Sequence, residues 1–159
     1  MQDHQFSFDV DASPEEIWAV FWQRRPVTEH GSVKIVLRNP GDEIGNGLVR
    51  ETRFRVPRWL GTGGVGRSWE WITEVVPNVS WRYDAIGAPP WSRATGWTRL
   101  EPIDAHRTRV HFRETYEVLS WWMRPFERAV HDAISADNDT MIRTAVEQGV
   151  VYQRRKRAT

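Results

Sequence analysis

The chain contains no cysteine, which excludes disulfides, thiolate metal sites and cysteine nucleophiles and is consistent with a reducing compartment. It has no apolar run of membrane-spanning length, and the segment from Met1 to Phe6 lacks the pattern of a signal peptide, so a soluble cytoplasmic protein is expected. Neither sign of charge dominates: the formal net charge of +1 gives no overall field that would gather nucleic acid or acidic partners. Internal repeats and low-complexity segments are absent. The five histidines, His4, His30, His106, His111 and His131, show no metal-ligand spacing, and no serine sits in a nucleophile-elbow context, so neither metal nor covalent chemistry is expected. The glycine cluster Gly61-Thr62-Gly63-Gly64 precedes a strand rather than a helix, which argues for a hairpin tip and against phosphate binding.

What remains is a chain of 159 residues, 40% apolar and 27% charged, the size and balance of a single globular domain. Ten tryptophans stand out. Because the indole N–H needs a partner when buried, that number suggests an aromatic-walled cavity or an interface as much as a core.

The C-terminal third organises the rest. From about Met123 to Tyr152, residues Phe126, Val130, Ala133, Ile134, Met141, Ala145 and Val151 recur with the spacing of one helical face. That spacing predicts one long helix, its stripe interrupted at Asp137, with Pro125 in its first turn. Upstream, Phe6, Phe8 and Val10 alternate with polar residues as a strand. Ser13-Pro14-Glu15-Glu16 then reads as a helix start, and Ile17, Trp18, Phe21 and Trp22 give that helix an apolar face. Six further strands follow, around Val33–Leu37, Leu48–Val56, Gly66–Val76, Val79–Ala85, Ala94–Leu100 and Thr108–Val118. The basic run Arg154-Arg155-Lys156-Arg157 reads as a solvated helix end, giving a domain over 1–153 and a basic tail over 154–159.

Three stretches resemble the START-related helix-grip (SRPBCC) superfamily. Phe6 through Trp18 is similar to its opening strand and helix. Gly45-Asn46-Gly47-Leu48-Val49-Arg50 is similar to the turn into its third strand, and Thr108 through Arg113 to its last strand. The resemblance implies an α+β helix-grip fold: a seven-stranded curved antiparallel sheet wrapped around the long C-terminal helix, enclosing an apolar cavity. Within that superfamily it points to the polyketide cyclase/dehydrase-like branch. The short second helix usual in the family has barely enough room in Val27–Gly31.

Polar residues that interrupt cavity-facing positions are the candidates for chemistry. By alternation these are Arg50, Glu114 and Asp137, with Tyr83 and Thr52 beside them. A buried carboxyl tends toward a raised pKa and can act as a general acid or base. Arg50 and Tyr83 would polarise a carbonyl or stabilise an enolate oxygen. The same residues also read as a structural ion pair, Arg50 with Glu114, with Asp137 as a cap. A one-residue bulge would instead turn Glu51, His111 or Arg113 inward, and Asn138 neighbours Asp137 on the helix. Phe54, Trp69, Trp71, Trp81, Phe112, Tyr116 and Met141 are expected to shape the pocket.

The resemblance implies a cofactor-independent cyclase or aromatase that promotes ring closure or dehydration of a largely apolar intermediate, in a monomer or homodimer. A non-catalytic carrier or sensor of a lipid or aromatic metabolite needs the same cavity. A third reading is a domain that binds a protein partner through exposed Trp59, Trp91, Trp121 and Trp122.

Overall fold

Alternating apolar and polar residues over most of the chain build one antiparallel sheet, and in the computed structural model it curves around the C-terminal helices. The structure describes residues 1–22, 25–30, 33–60, 63–88, 91–135 and 138–158. Among them the sheet has eight strands: β1 (Gln2–Val10), β2 (Val27–His30), β3 (Val33–Asn39), β4 (Val49–Arg55), β5 (Val65–Val76), β6 (Ser80–Ala88), β7 (Ser92–Asp104) and β8 (Arg107–Val118). Their spatial order is β1-β8-β7-β6-β5-β4-β3-β2, so the first two strands occupy opposite edges.

The seven strands expected are all present. The eighth, β2, occupies the segment considered for a short helix; its Val27 and Thr28 pair with Val36 and Ile35 of β3. The β-branched residues Val27 and Thr28 favour extended backbone, and four residues are too few for a stable helix of their own.

Helix α1 (Pro14–Phe21) starts as its sequence dictates. The Ser13 side chain accepts the Glu16 N–H, and the Glu16 carboxylate accepts the Ser13 N–H in return, with Pro14 in the first turn. Ile17 is fully buried beneath it.

The C-terminal segment predicted as one helix is described in two helical pieces, with residues 136–137 between them outside the described residues. A 3₁₀ turn (Arg124–Phe126) leads into α2 (Glu127–Ser135), and α3 (Asn138–Arg157) follows. The basic residues Arg154 to Arg157 form the last turn of α3, and Arg154 binds the Glu16 carboxylate of α1 through Nε and Nη2, both at 2.8 Å.

Val146 and Val150 of α3 enter the concave side of the sheet among Phe8, Val10, Ile72, Leu100 and Val110. Thr108, fully buried, donates its hydroxyl to the Ala12 carbonyl at 2.7 Å and ties the turn into α1 to β8. A smaller cluster of Tyr116, Val118, Met123 and Val130 holds α2 against the end of β8.

Helices α1 and α3 cross at Gly149, where a Cβ would lie 2.4 Å from one Val20 methyl and 3.0 Å from the other. Alanine normally stabilises a helix interior by about 1 kcal/mol relative to glycine. At this crossing the steric conflict reverses the sign: Gly149→Ala is expected to lower the urea midpoint, and adding Val20→Ala to recover part of the loss.

Candidate functional site

The sheet and the helices leave between them a cavity of about 360 Å³. That is at the small end of the range that holds drug-sized ligands. Its room comes from small residues on the concave face of the central strands: Ala85 and Gly87 of β6, and Ala94 of β7.

Register places the polar groups. Arg50 on β4 lies directly opposite Glu70 on β5, and its Nε donates to the Glu70 carboxylate at 2.6 Å. Tyr83 on β6, Gly96 on β7 and Glu114 on β8 are consecutive cross-strand neighbours. A Cβ on Gly96 would fall 2.1 Å from the Tyr83 ring, so only glycine lets the phenol lie across β7. The Tyr83 hydroxyl then donates to the Glu114 carboxylate two strands away.

Burial dominates the electrostatics. It pushes the Glu114 carboxyl above the usual carboxylate range, against the opposing effect of the Tyr83 hydrogen bond. Burial, reinforced by the charge of Glu114, holds the Tyr83 phenol well above its ordinary value, so Tyr83 keeps its proton.

A second group of polar residues flanks this wall. His4 on β1 is the cross-strand neighbour of Glu114, and its Nε2 lies 2.8 Å from the Asp139 carboxylate of α3. His131 on α2 is buried, lines the cavity and lies edge-on to His4 and tilted against Tyr116, with ring centroids 6.1 and 5.5 Å away. Three buried polar atoms on cavity-lining residues have no hydrogen-bond partner among the described residues: Trp22 Nε1, Thr52 Oγ1 and the Tyr116 hydroxyl, although Ser92 lies near enough to the last to perturb it. No three His, Asp or Glu side chains among the described residues come together as a metal-ligand set.

Arg50, Tyr83 and Glu114 are thus brought to one wall, with Phe54, Trp81, Phe112, Tyr116 and Met141 also around the cavity. The expected Arg50–Glu114 pair does not form; Arg50 pairs with Glu70, and Glu114 with Tyr83. Trp69 and Trp71 face the other way. They lie on the convex side, 37% and 38% exposed, because the face of β5 that carries Glu70 must be the face of β4 that carries Arg50. Asp137 lies outside the described residues, as do the side chains of Ala133, Ile134 and Asn138.

The alternative strand phases are not adopted. Glu51 is buried on the convex side under Arg38 and Arg53, while His111 bonds Ser7 and Glu101, and Arg113 bonds Asp3. Two groups escaped the sequence reading. Glu70 was detectable as a charge opposite Arg50 across the Gly-rich hairpin. His131 was detectable from Glu127, His131 and Ser135, polar residues at four-residue spacing that mark one inward helix face.

No family model matches the chain, and neither does any curated protein sequence. Solved structures do. The Zhui aromatase/cyclase from Streptomyces sp. R1128 aligns at a TM-score of 0.70 with 14% identity over 94% of this chain and 93% of its own. A START superfamily protein from Mycobacterium smegmatis aligns at 0.67 with 11% identity, covering 96% and 99% of the two chains. Norcoclaurine synthase from Thalictrum aligns at 0.64 with 14% identity over 96% of each chain. The chain therefore has the START-related helix-grip fold.

A carboxyl whose pKa is higher folded than unfolded favours the folded state at low pH. Its contribution is lost as pH rises from the unfolded carboxylate value through the folded one. Glu114→Gln, which keeps an acceptor for Tyr83, is expected to gain stability relative to the parent as pH rises above that unfolded value. Urea midpoints measured from acidic to neutral pH would show the two curves diverging; parallel curves would mean that Glu114 is not destabilised by burial.

Proposed function

We propose that the protein is a cofactor-independent cyclase or dehydratase of the polyketide cyclase type, acting on a largely apolar, oxygen-bearing intermediate. The observation that supports this reading best is the buried Tyr83–Glu114 pair beside Arg50 in an otherwise mainly apolar cavity. The unpartnered polar atoms agree with it. Trp22 packs beside Trp81, at the level of Phe112, while Tyr116 lies four residues further along β8, about 13 Å at the rise of a strand. A ligand with oxygens toward both ends would satisfy the Trp22 and Tyr116 donors together.

In this reading Glu114, as carboxylate, removes a proton from the carbon next to a ketone. The electrons of that C–H bond move into an enolate, whose oxygen receives hydrogen bonds from the Arg50 N–H groups not used by Glu70 and from Tyr83, whose single O–H turns from Glu114 to the enolate as the carboxylate takes up the proton. The enolate carbon attacks a second carbonyl of the same molecule, forming the C–C bond of the ring. The protonated Glu114 returns its proton to the alkoxide left by that attack, giving a hydroxyl. The regenerated carboxylate then takes the remaining proton from the former enolate carbon, whose C–H electrons form a C=C bond as hydroxide departs and receives that proton to become water, with Asp137 the second proton-transfer candidate. A raised pKa suits Glu114 to both steps, since it is a stronger base when ionised and holds its proton at less acidic pH. The enclosed cavity contributes by holding one folded conformer and excluding water. The aromatase/cyclase with the same fold lends support at the level of fold only.

A carrier or sensor of an aromatic or lipid-like metabolite is the second reading. It is favoured by one observation: the charged groups on the cavity wall already have partners inside the protein, Arg50 with Glu70 and Glu114 with Tyr83, so a neutral ligand could sit there with nothing to react.

With a short poly-β-ketone mimic that the protein turns over, Glu114→Gln is expected to lower kcat by about 10²- to 10⁴-fold, the size of a lost general base, while affinity changes little. Tyr83→Phe should lower kcat less, and Asp137→Asn measures the second position. Unchanged turnover in Glu114→Gln would sink the assigned role. Saturable binding without turnover of any mimic by the parent protein would move the assignment to the carrier.

A further inference from the structure

Four tryptophans lie on connections between elements, outside the core, the cavity wall and the convex face of the sheet. Trp59, Trp91, Trp121 and Trp122 are 61%, 57%, 82% and 61% exposed. They lie on three separate connections: β4 to β5, β6 to β7, and β8 to α2. Strand pairing puts all three at one end of the sheet. Arg55, at the end of β4, pairs with Val65; Arg67 pairs with Ala88, at the end of β6; and Ser92, at the start of β7, pairs with Val118, at the end of β8. The Leu119 N–H donates to the Trp91 carbonyl at 2.8 Å and joins two of these connections.

The turn after β8 is built to present its aromatics. Met123 is buried against Tyr116, Val118 and Val130, and the N–H groups of Met123 and Arg124 both donate to the Ser120 carbonyl. Trp121 and Trp122 project from that anchored turn with Leu119 and Phe126, also exposed.

The charge on this rim is one-sided. Arg55, Arg58, Arg67, Arg93 and Arg124 are exposed there, and Glu117 is the acid that Arg93 and Arg124 share. The connections themselves, residues 56–64, 89–91 and 119–126, contain no acidic residue. The cavity reaches the same end, with Phe54, Ala88 and Ser92 among its walls.

We propose that this rim docks the protein on an anionic lipid surface, with Trp59, Trp91, Trp121 and Trp122 seated at headgroup level and the arginines facing lipid phosphates. Tryptophan favours the boundary between water and hydrocarbon because its ring is apolar and its N–H is polar, and cationic side chains add attraction to anionic leaflets. Aromatics spread over three loop tips suit a surface that accepts each one independently, whereas a protein partner needs a contiguous packed centre. No helix among the described residues is long and apolar enough to cross a membrane, so the contact is peripheral. Docked this way, the end of the cavity faces the lipid, where an apolar ligand concentrates.

Co-sedimentation with vesicles tests the assignment, using phosphatidylcholine alone and phosphatidylcholine mixed with phosphatidylglycerol. Binding is expected to the mixed vesicles, weakened by added salt, with a blue shift of tryptophan emission. Trp121→Ser combined with Trp122→Ser, and separately Arg58→Glu combined with Arg124→Glu, should each reduce partitioning by about tenfold or more. Trp69→Ser, on the convex face, should leave it unchanged, and circular dichroism checks that each variant is folded. The proposal is overturned by no binding to the mixed vesicles, by equal binding to both compositions, or by undiminished binding of the double tryptophan variant. It is also overturned if the rim residues instead govern a concentration-dependent mass in vesicle-free solution, which would make a second copy of the chain the occupant.

Discussion

A carboxyl group on the concave face of a sheet must find a donor or give up its charge, because water is excluded there. Glu114 finds its donor two strands away. The intervening strand offers no obstacle only because Gly96 lacks a side chain, and the Tyr83 ring occupies the space that a Cβ would fill. Much of the site depends on that contact. It orients the phenol and fixes both groups beside the Arg50–Glu70 pair, while burial, against the opposing effect of the Tyr83 bond, raises the pKa of the carboxyl. Gly87, Ala85 and Ala94 continue the same economy of volume, and the cavity is the space they leave open.

The tryptophans divide by position. Trp18, Trp22 and Trp81 pack against one another at ring separations of 5.0 to 5.9 Å and form the wall between α1 and the sheet. Trp69, Trp71 and Trp97 lie on the convex side, where Arg82 and Arg113 each approach the Trp97 ring at 5.7 Å. Stacking a guanidinium on an indole lets an outward aromatic stay largely covered without a second layer of structure. The remaining four occupy the rim. A high tryptophan content therefore reflects three separate environments.

The fold was legible because its signals are local. The Ser13 capping box, the strand alternation and the Gly- and Pro-marked turns each depend on a few neighbouring residues, and all led to the right elements. The short strand β2 carried too little pattern to be separated from a helical turn. At the site, the rule that a polar residue on an apolar face is informative found Arg50, Tyr83 and Glu114. The same rule failed on β5, where the weight given to Trp69 and Trp71 outran the charge complementarity of Arg50 and Glu70. The role of Gly96 was not readable at all, since it exists only once three strands are in register.

The strand order also sets a schedule for folding. Strand β1 comes first among the eight strands, yet its partner among the described residues is β8, with Phe6 opposite Phe112. Strands β2 to β8 pair with their neighbours in sequence and can zip together progressively, whereas β1 must wait until nearly the whole sheet has been made. Until then Phe6 and Phe8 have no strand to lie beside, and the turn at Ala12 lacks the Thr108 hydroxyl that later holds it. Closing that long loop is the step that adds the last strand to the sheet, so misassembly is most exposed at the β1 edge.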